Sequence, residues 1–159
     1  MIDKRRAGRY ERIYAQLSDL IKGKSPNLTA AMATICAVLH HKMSHHFWTG
    51  FYFTGAGNEG EKELYVGPYQ GTVACQILKG RGVCLHCAQT KRAIVVADVE
   101  QFPGHVACDA RSRSEIVLPV MKEDKVIALL DVDSDELAQF DEDDIAPLEK
   151  ILSLLKPYL

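Results

Sequence analysis

Cys108 lies in a polar loop that leads into an apolar stretch, a setting typical of a reactive thiol. A Pro-Gly break precedes it, and His105, Arg111 and Arg113 surround it in the sequence. A cysteine becomes nucleophilic when neighbouring cations or donors stabilise its thiolate. We therefore interpret Cys108 as the nucleophile, against the alternative that it is a small buried residue, the commonest fate of a free cysteine.

Cys75 and Cys84 belong to a glycine-bearing segment, GTVACQILKGRGVC, which ends at Cys84. Such a segment can move, and a thiol that resolves a sulfenic acid must travel to reach it. Each of the two cysteines is equally well explained as a core residue beside a short helix. Cys36 lies among small apolar residues and fits the core.

A zinc site is an alternative use of the clustered cysteines. Cys84 and Cys87 form a C-x2-C pair, and His105 and Cys108 form an H-x2-C pair downstream. These are the ligand types of structural zinc, but apolar residues flank the first pair, whereas zinc knuckles place each pair on a tight turn. The CxxC could also be a thioredoxin-like redox pair, for which the βαβ context is missing. We predict no metal ligands and no cofactor.

Three carboxylates follow the Cys108 loop in the sequence. Glu115 begins one predicted strand, and Asp131 and Asp133 end the next, in LLDVDS. Alternation along a strand places the two aspartates on the same face. If the strands form a hairpin, all three carboxylates gather at its open end, and mutual repulsion raises the pKa of at least one. We interpret these carboxylates as the source of a proton donor beside the cysteine. The alternatives are that they are solvated strand ends or that they form a divalent-metal site.

Aromatic and histidine residues complete the candidates. Trp48 and Tyr52 are four residues apart and hence on the same side of a strand, where core packing is the common outcome and a wall for a small apolar ligand group is another. Four histidines straddle a predicted helix end and are expected to be solvated rather than metal-bound: His40, His41, His45 and His46.

The elements that position these residues follow from periodicity and breaks. Ser25-Pro26 is expected to start the second helix, a glycine-rich connection is expected at 55–60, and GPYQG at 67–71 is expected to be a break. Helices are predicted at 4–22, at 27–41, from about 83 and after Asp141, and strands at 47–54, 63–66, 72–78, 94–97, 114–121 and 125–133. This order predicts an α+β fold, an antiparallel sheet covered by helices near both ends of the sequence.

Composition limits the function classes. The 159 residues are 47% hydrophobic and 25% charged, which indicates a single domain spanning 1–159 with one core. A net charge of −2 gives no basis for binding nucleic acid or an anionic membrane. Without an apolar leader or a span of about 20 apolar residues, a cytoplasmic protein is expected. The apolar stripe of the first helix could serve a homodimer.

These motifs together resemble the free methionine-R-sulfoxide reductases, which are single GAF domains. The resemblance runs from Trp48 onward and is most specific in its last three pieces. The matching pieces are WTGFY at 48–52, GPYQG at 67–71, AC at 74–75, GRGVC at 80–84, DVEQFPGHVACD at 98–109, SRSEIVLP at 112–119 and LDVDS at 130–134.

The resemblance implies a GAF-like antiparallel sheet of about six strands and reduction of free methionine-(R)-sulfoxide. It implies that Cys108 is the catalytic cysteine, Cys75 the principal resolving cysteine and Cys84 an auxiliary one. It further implies that Trp48 and Tyr52 bind the substrate methyl group. The carboxylates implied to bind substrate and assist proton transfer are Glu115, Asp131 and Asp133. Thioredoxin or a similar dithiol is the implied reductant.

The sequence departs from the family pattern around the implied resolving thiols. The segment after Cys75 is one residue shorter and lacks a proline, and Leu85-His86 replaces Gly-Thr and precedes Cys87. Cys75, Cys84 and Cys87 are therefore all candidates for the resolving role. The alternative function is a non-catalytic GAF module that binds a small molecule as a sensor and does not need Cys108.

Overall fold

The computed structural model describes residues 2–55, 63–105 and 108–159. Within them, six strands form one antiparallel sheet in the order β3-β2-β1-β6-β5-β4, which confirms the predicted α+β class. All but the first residue of the connection predicted at 55–60, and positions 106–107 of the Cys108 loop, lie outside the described residues. The elements are α1 (Lys4–Ile21), α2 (Leu28–Lys42), β1 (Trp48–Thr54), β2 (Glu63–Gln70), β3 (Ile77–Lys79), α3 (Val83–Thr90), β4 (Ile94–Val96), β5 (Ser114–Lys122), β6 (Lys125–Ser134) and α4 (Ile145–Leu152).

Three helices, α1, α2 and α4, cover one face of the sheet and form the larger core with it. The apolar stripe of α1, on which the homodimer prediction depends, is buried in this core except for Leu20, which is exposed at 47%; its buried residues are Tyr10, Ile13, Leu17 and Ile21. The homodimer stays a prediction, without that stripe as its basis. In the described residues, no helix is both long and apolar enough to cross a bilayer.

Two helix starts differ in detail from the expected ones. Asn27, not Ser25, caps α2, because its side chain accepts a hydrogen bond from the Ala30 backbone N–H at 2.9 Å. Before α4, Asp141 caps a single 3-10 turn, and α4 begins at Ile145. Pro147 therefore falls in the first turn of α4, where its missing N–H costs little.

Strand β2 continues through the predicted break at GPYQG. Its pairing with β1 shifts register there, so that Gly67 and Pro68 together stand opposite Phe51. A bulge of this kind accommodates a proline in a strand because the proline has no N–H to give to the ladder. The glycines and proline were therefore a wrong signal for the end of the strand. The strand predicted at 72–78 is shorter in the structure, where it is represented by β3 (Ile77–Lys79), which pairs with β2.

The histidines on both sides of the end of α2 are only partly solvated. His41 is exposed as predicted, but His46 is buried at 3% exposure, and its ring packs against those of His45 and Phe140, with centroids 4.6 and 5.7 Å away. Burial lowers the pKa of His45 to about 4 and that of His46 well below its usual range. The expectation that all of them are solvated was wrong, and the buried ones are neutral packing residues.

Candidate active site

The second face of the sheet carries the three carboxylates predicted to act together. Trp48 on β1 pairs with Asp133 on β6, and Asp133 pairs with Glu115 on β5, so the three residues form one row across the sheet. Gly50 and Asp131 form the next row on the same face. The alternation predicted from the sequence thus brings all three acids together at the open end of the β5–β6 hairpin.

A disulfide joins Cys75 and Cys108 above this face, with their Cα atoms 5.5 Å apart. Cys75 precedes β3, which is one edge of the sheet, and Cys108 follows β4, which is the opposite edge. The disulfide therefore connects loops from both edges. Cys108 itself is exposed and Cys75 is half-buried, so a redox partner can reach the pair.

Two aromatic side chains of β1 fix the loop that carries Cys75. The Trp48 indole Nε1–H donates to the Thr72 carbonyl at 3.1 Å, and the Tyr52 hydroxyl donates to the Cys75 carbonyl at 3.1 Å. The two rings stack at 5.8 Å between centroids. Trp48 and Tyr52 lie on the same side of the strand as predicted, and their polar ends hold the thiol loop while their faces line the pocket.

The loop after Cys108 is held by Asp109. Thr72 Oγ1 donates to Asp109 Oδ2 at 2.9 Å, which connects this loop to the Cys75 loop. Arg111 donates to the same carboxylate through Nε and Nη2, at 3.1 and 2.9 Å, and lies over the Phe47 ring. These hydrogen bonds, Arg111 first, hold the pKa of Asp109 well below its usual range. The Arg111 guanidinium is thus paired with the Asp109 carboxylate rather than with the Cys108 sulfur.

Cys108 of the disulfide, the two aromatic side chains and the three acids line one pocket of about 100 Å³. A pocket of this size brings apolar ring faces and a few polar groups close to one small molecule. Those of its lining residues that carry the chemistry discussed here are Trp48, Tyr52, Cys84, His105, Cys108, Ser112, Glu115, Asp131 and Asp133.

The three carboxyl groups differ in how readily they ionise. Burial, then the charge of Asp131, raises the pKa of Glu115 well above its usual range. Burial and then Asp131 likewise raise the pKa of Asp133, although Ser112 Oγ donates to it at 2.6 Å. Burial raises the pKa of Asp131 too, but donors from Glu115 and the Cys84 thiol favour its charged form. Asp131 is therefore the best placed of the three to stay ionised, with Glu115 protonated beside it.

The remaining pocket cysteine, Cys84, is a free thiol under the acids. Its Sγ lies 3.9 Å from Glu115 Oε1, and burial, then Asp131, raises its pKa well above the usual range. Cys87 is fully buried one turn further along α3, where burial raises its pKa to about 12. The zinc set considered above is not assembled, because Cys108 is bonded to Cys75 and the group of potential metal ligands found in the described residues lacks Cys87 and His105.

Thr72 and Ser112 are functional-site residues that sequence reasoning missed. Each is a hydroxyl that positions a carboxylate: Thr72 orients Asp109, and Ser112 orients Asp133. The motif SRSE places Ser112 within the same stretch as Glu115, which was a usable signal. No local signal marks Thr72, because its partner is 37 residues away.

Comparison with known proteins identifies the family to which the chain belongs. A profile described as GAF domain matches residues 26–156. The chain is 45% identical over 147 residues to GAF domain-containing protein A of Dictyostelium discoideum, covering 92% of this chain and 89% of that one. It is 35% identical over 152 residues to the free methionine-R-sulfoxide reductase of Escherichia coli, covering 91% and 88%.

A solved structure extends the likeness to the backbone. The free methionine-R-sulfoxide reductase of Neisseria meningitidis, in complex with its substrate, superposes with a TM-score of 0.88 at 35% identity. The superposition covers 99% of this chain and 91% of that one.

Gly50 provides a test of the pocket wall. A Cβ at this position would lie 2.5 Å from the Tyr69 Cβ and 2.7 Å from the Trp48 Cζ3, and closer still to the Trp48 Cη2. Gly50→Ala is therefore expected to displace Trp48, to change its fluorescence emission and to destabilise the fold by about 1–3 kcal/mol. Trp48 is the only tryptophan, so denaturant unfolding followed by emission measures both effects.

Gly8→Ala in α1 is the matched control for this substitution. Its Cβ meets only the flexible end of Arg12, at 3.2 Å, and removing a helical glycine stabilises by about 0.5–1 kcal/mol. A Gly50→Ala variant with native emission and stability would contradict the packing described for Trp48.

Proposed function

Because the chain belongs to the GAF domain family and, within it, to the free methionine-R-sulfoxide reductases, we propose that it reduces free methionine-(R)-sulfoxide with the Cys108 thiolate as nucleophile. The family resemblance drawn from the sequence is confirmed, and the protein is an oxidoreductase. The R epimer is proposed as the substrate because the relatives are named free methionine-R-sulfoxide reductases.

One observation carries the proposal: a disulfide containing Cys108 lines the same pocket as three carboxyl groups. A thiol and a neutral acid are the two groups that sulfoxide reduction needs. The alternative, a sensor module that only binds a small molecule, requires the pocket but not the pair of thiols at its mouth. The Cys75–Cys108 disulfide therefore favours the reductase.

In the first step, the Cys108 thiolate attacks the sulfoxide sulfur, which carries partial positive charge. The sulfoxide oxygen is a poor leaving group until it is protonated. The oxygen is transferred from the substrate sulfur to the Cys108 sulfur and takes up one proton from the site, which gives a Cys108 sulfenic acid. The substrate leaves as methionine, a thioether. The substrate is reduced by two electrons and Cys108 is oxidised by two.

Glu115 is the proton donor in this scheme. It is buried, at 4% exposure, and its raised pKa keeps it protonated near neutral pH. Asp131 stays ionised beside it, and its negative charge favours the protonated form of Glu115. Asp133, which accepts a hydrogen bond from the Ser112 hydroxyl, is the third carboxyl group of the site.

The same acids explain selection of a free amino acid. The charge on Asp131 attracts the ammonium group of free methionine sulfoxide, whereas a methionine residue within a protein has no ammonium group. The stacked rings of Trp48 and Tyr52 supply an apolar surface for the substrate methyl group.

Cys75 resolves the intermediate. Its thiol condenses with the Cys108 sulfenic acid, which releases water and forms the disulfide between them. A dithiol such as thioredoxin then reduces the disulfide by exchange at the exposed Cys108. Cys84, a buried thiol in the same pocket, is the auxiliary resolving residue.

The direct test is release of methionine from the separated sulfoxide epimers in the presence of a dithiol. We expect turnover with the R epimer only, and none by Cys108→Ser, because a hydroxyl is a far weaker nucleophile at neutral pH. Circular dichroism checks that the variant keeps the native fold. Unchanged turnover by Cys108→Ser would reject Cys108 as the nucleophile.

A Cys75→Ser variant separates reduction from recycling. We expect the pre-reduced variant to release about one methionine per chain in a single turnover, and then to fail to recycle on thioredoxin. Cys36→Ser is the matched control, because Cys36 is buried in the helix-covered core and donates to the Pro68 carbonyl at 3.4 Å. Full multiple turnover by Cys75→Ser would transfer the resolving role to Cys84 or Cys87.

The pH dependence of methionine release tests the role of Glu115. A donor with a raised pKa is protonated at low pH and is lost as pH rises through that pKa, so single-turnover rates should fall at the alkaline end of a range from about pH 6 to about pH 9. Glu115→Gln should be slower by about 10²–10⁴-fold and should lack that alkaline decrease. Glu100→Gln, at an exposed position, is the control. An alkaline decrease that persists in Glu115→Gln would exclude Glu115 as the donor.

A further inference from the structure

Three potential metal ligands from different elements converge beneath the disulfide. They are the Cys84 thiol on α3, the Glu115 carboxyl on β5 and the Asp131 carboxyl on β6, and one donor atom of each lies within 4.8 Å of the others. All three side chains are more than nine-tenths buried, with exposures of 4%, 4% and 6%. They therefore form a compact site in the interior rather than a chance cluster of surface acids.

Asp131 presents an unpartnered oxygen to this site. Its Oδ1 is buried and has no hydrogen-bond partner among the described residues. A buried carboxylate oxygen without a donor has lost the solvation of water without compensation. A cation bound there supplies that compensation, and it can displace the protons held by Cys84 and Glu115.

We propose that Cys84, Glu115 and Asp131 bind one divalent cation of the Zn²⁺ or Cd²⁺ type, and that this cation inhibits the enzyme by occupying the place of the substrate ammonium group. Zinc accepts thiolate and carboxylate ligands in one tetrahedral site, and three protein ligands leave a fourth position for water. A thiolate ligand disfavours Mg²⁺ and Ca²⁺, which prefer oxygen. The inhibition rests on the proposed function, whereas the binding does not.

The binding test uses Cd²⁺ and the oxidised protein, in which Cys75 and Cys108 are joined and Cys36, Cys84 and Cys87 are the free thiols. We expect a saturable ultraviolet absorption from thiolate-to-cadmium charge transfer at one equivalent, which Zn²⁺ abolishes by competition and Mg²⁺ does not. Absence of this absorption in the oxidised wild type overturns the proposal.

Matched variants identify the thiol. Cys84→Ser should abolish the absorption and weaken Zn²⁺ binding by about tenfold or more, whereas Cys87→Ser, on the same helix, should retain both. If Cys84→Ser does not fold, Asp131→Asn should weaken Zn²⁺ binding by the same order while keeping the Cys84 thiol. Retained binding in Cys84→Ser, or in Asp131→Asn, overturns the site.

Inhibition is measured as methionine release from pre-reduced enzyme without free dithiol, since dithiols chelate zinc. Zn²⁺ should raise the half-saturating concentration of methionine-(R)-sulfoxide without changing the rate at saturation, and a chelator should reverse it. If the protein shows the cadmium absorption but releases no methionine, the metal site is supported and the proposed reductase activity is rejected. Methionine release that Zn²⁺ leaves unchanged would overturn the inhibition.

Discussion

Buried negative charge is the constraint on which the arrangement of this site depends. Two neighbouring strands, β5 and β6, bring three carboxyl groups to one face of the sheet. Like charges in a low-dielectric interior are unfavourable unless protons, donors or a cation compensate them. Burial and the charge of Asp131 raise the pKa of Glu115 and of Asp133, whereas Glu115 and the Cys84 thiol favour the charged form of Asp131 by lowering its pKa. In the proposed mechanism, the cost of gathering the acids is what suits one of them to donate a proton at neutral pH and another to bind a positive group.

The layout of the sheet separates support from chemistry. Helices α1, α2 and α4 bury one face in a continuous apolar core, and the buried ring of His46 packs against Phe140 of that core. The other face is left to α3 and to loops that carry the cysteines. Loop residues are held by side chains that rise from the strands, as Trp48 and Tyr52 hold the Cys75 loop. A rigid sheet therefore sets the geometry of segments that have little regular structure of their own.

Much of this was predictable from the sequence, and the reasons for success and failure are physical. Alternation along β6 placed Asp131 and Asp133 on one face, and the hairpin placed Glu115 beside them, because strand geometry is nearly invariant. The partner of Cys108 was not predictable from spacing, since it depends on contacts between distant loops such as Thr72 with Asp109. The extent of β2 and the burial of His46 were missed for a similar reason. A bulge absorbs Pro68, and tertiary packing buries a residue that local polarity assigns to solvent.

The disulfide connects loops from opposite edges of the sheet, and its two cysteines are 33 residues apart. In the chain-entropy description, closing a loop of that length removes enough freedom from the unfolded chain to favour folding by about 3–4 kcal/mol. In the proposed cycle, the protein therefore alternates between a cross-linked form with the larger margin against unfolding and an open form with the smaller one. On that proposal, the form that meets substrate is the less stable of the two, and a chain that has just turned over is the better protected against unfolding.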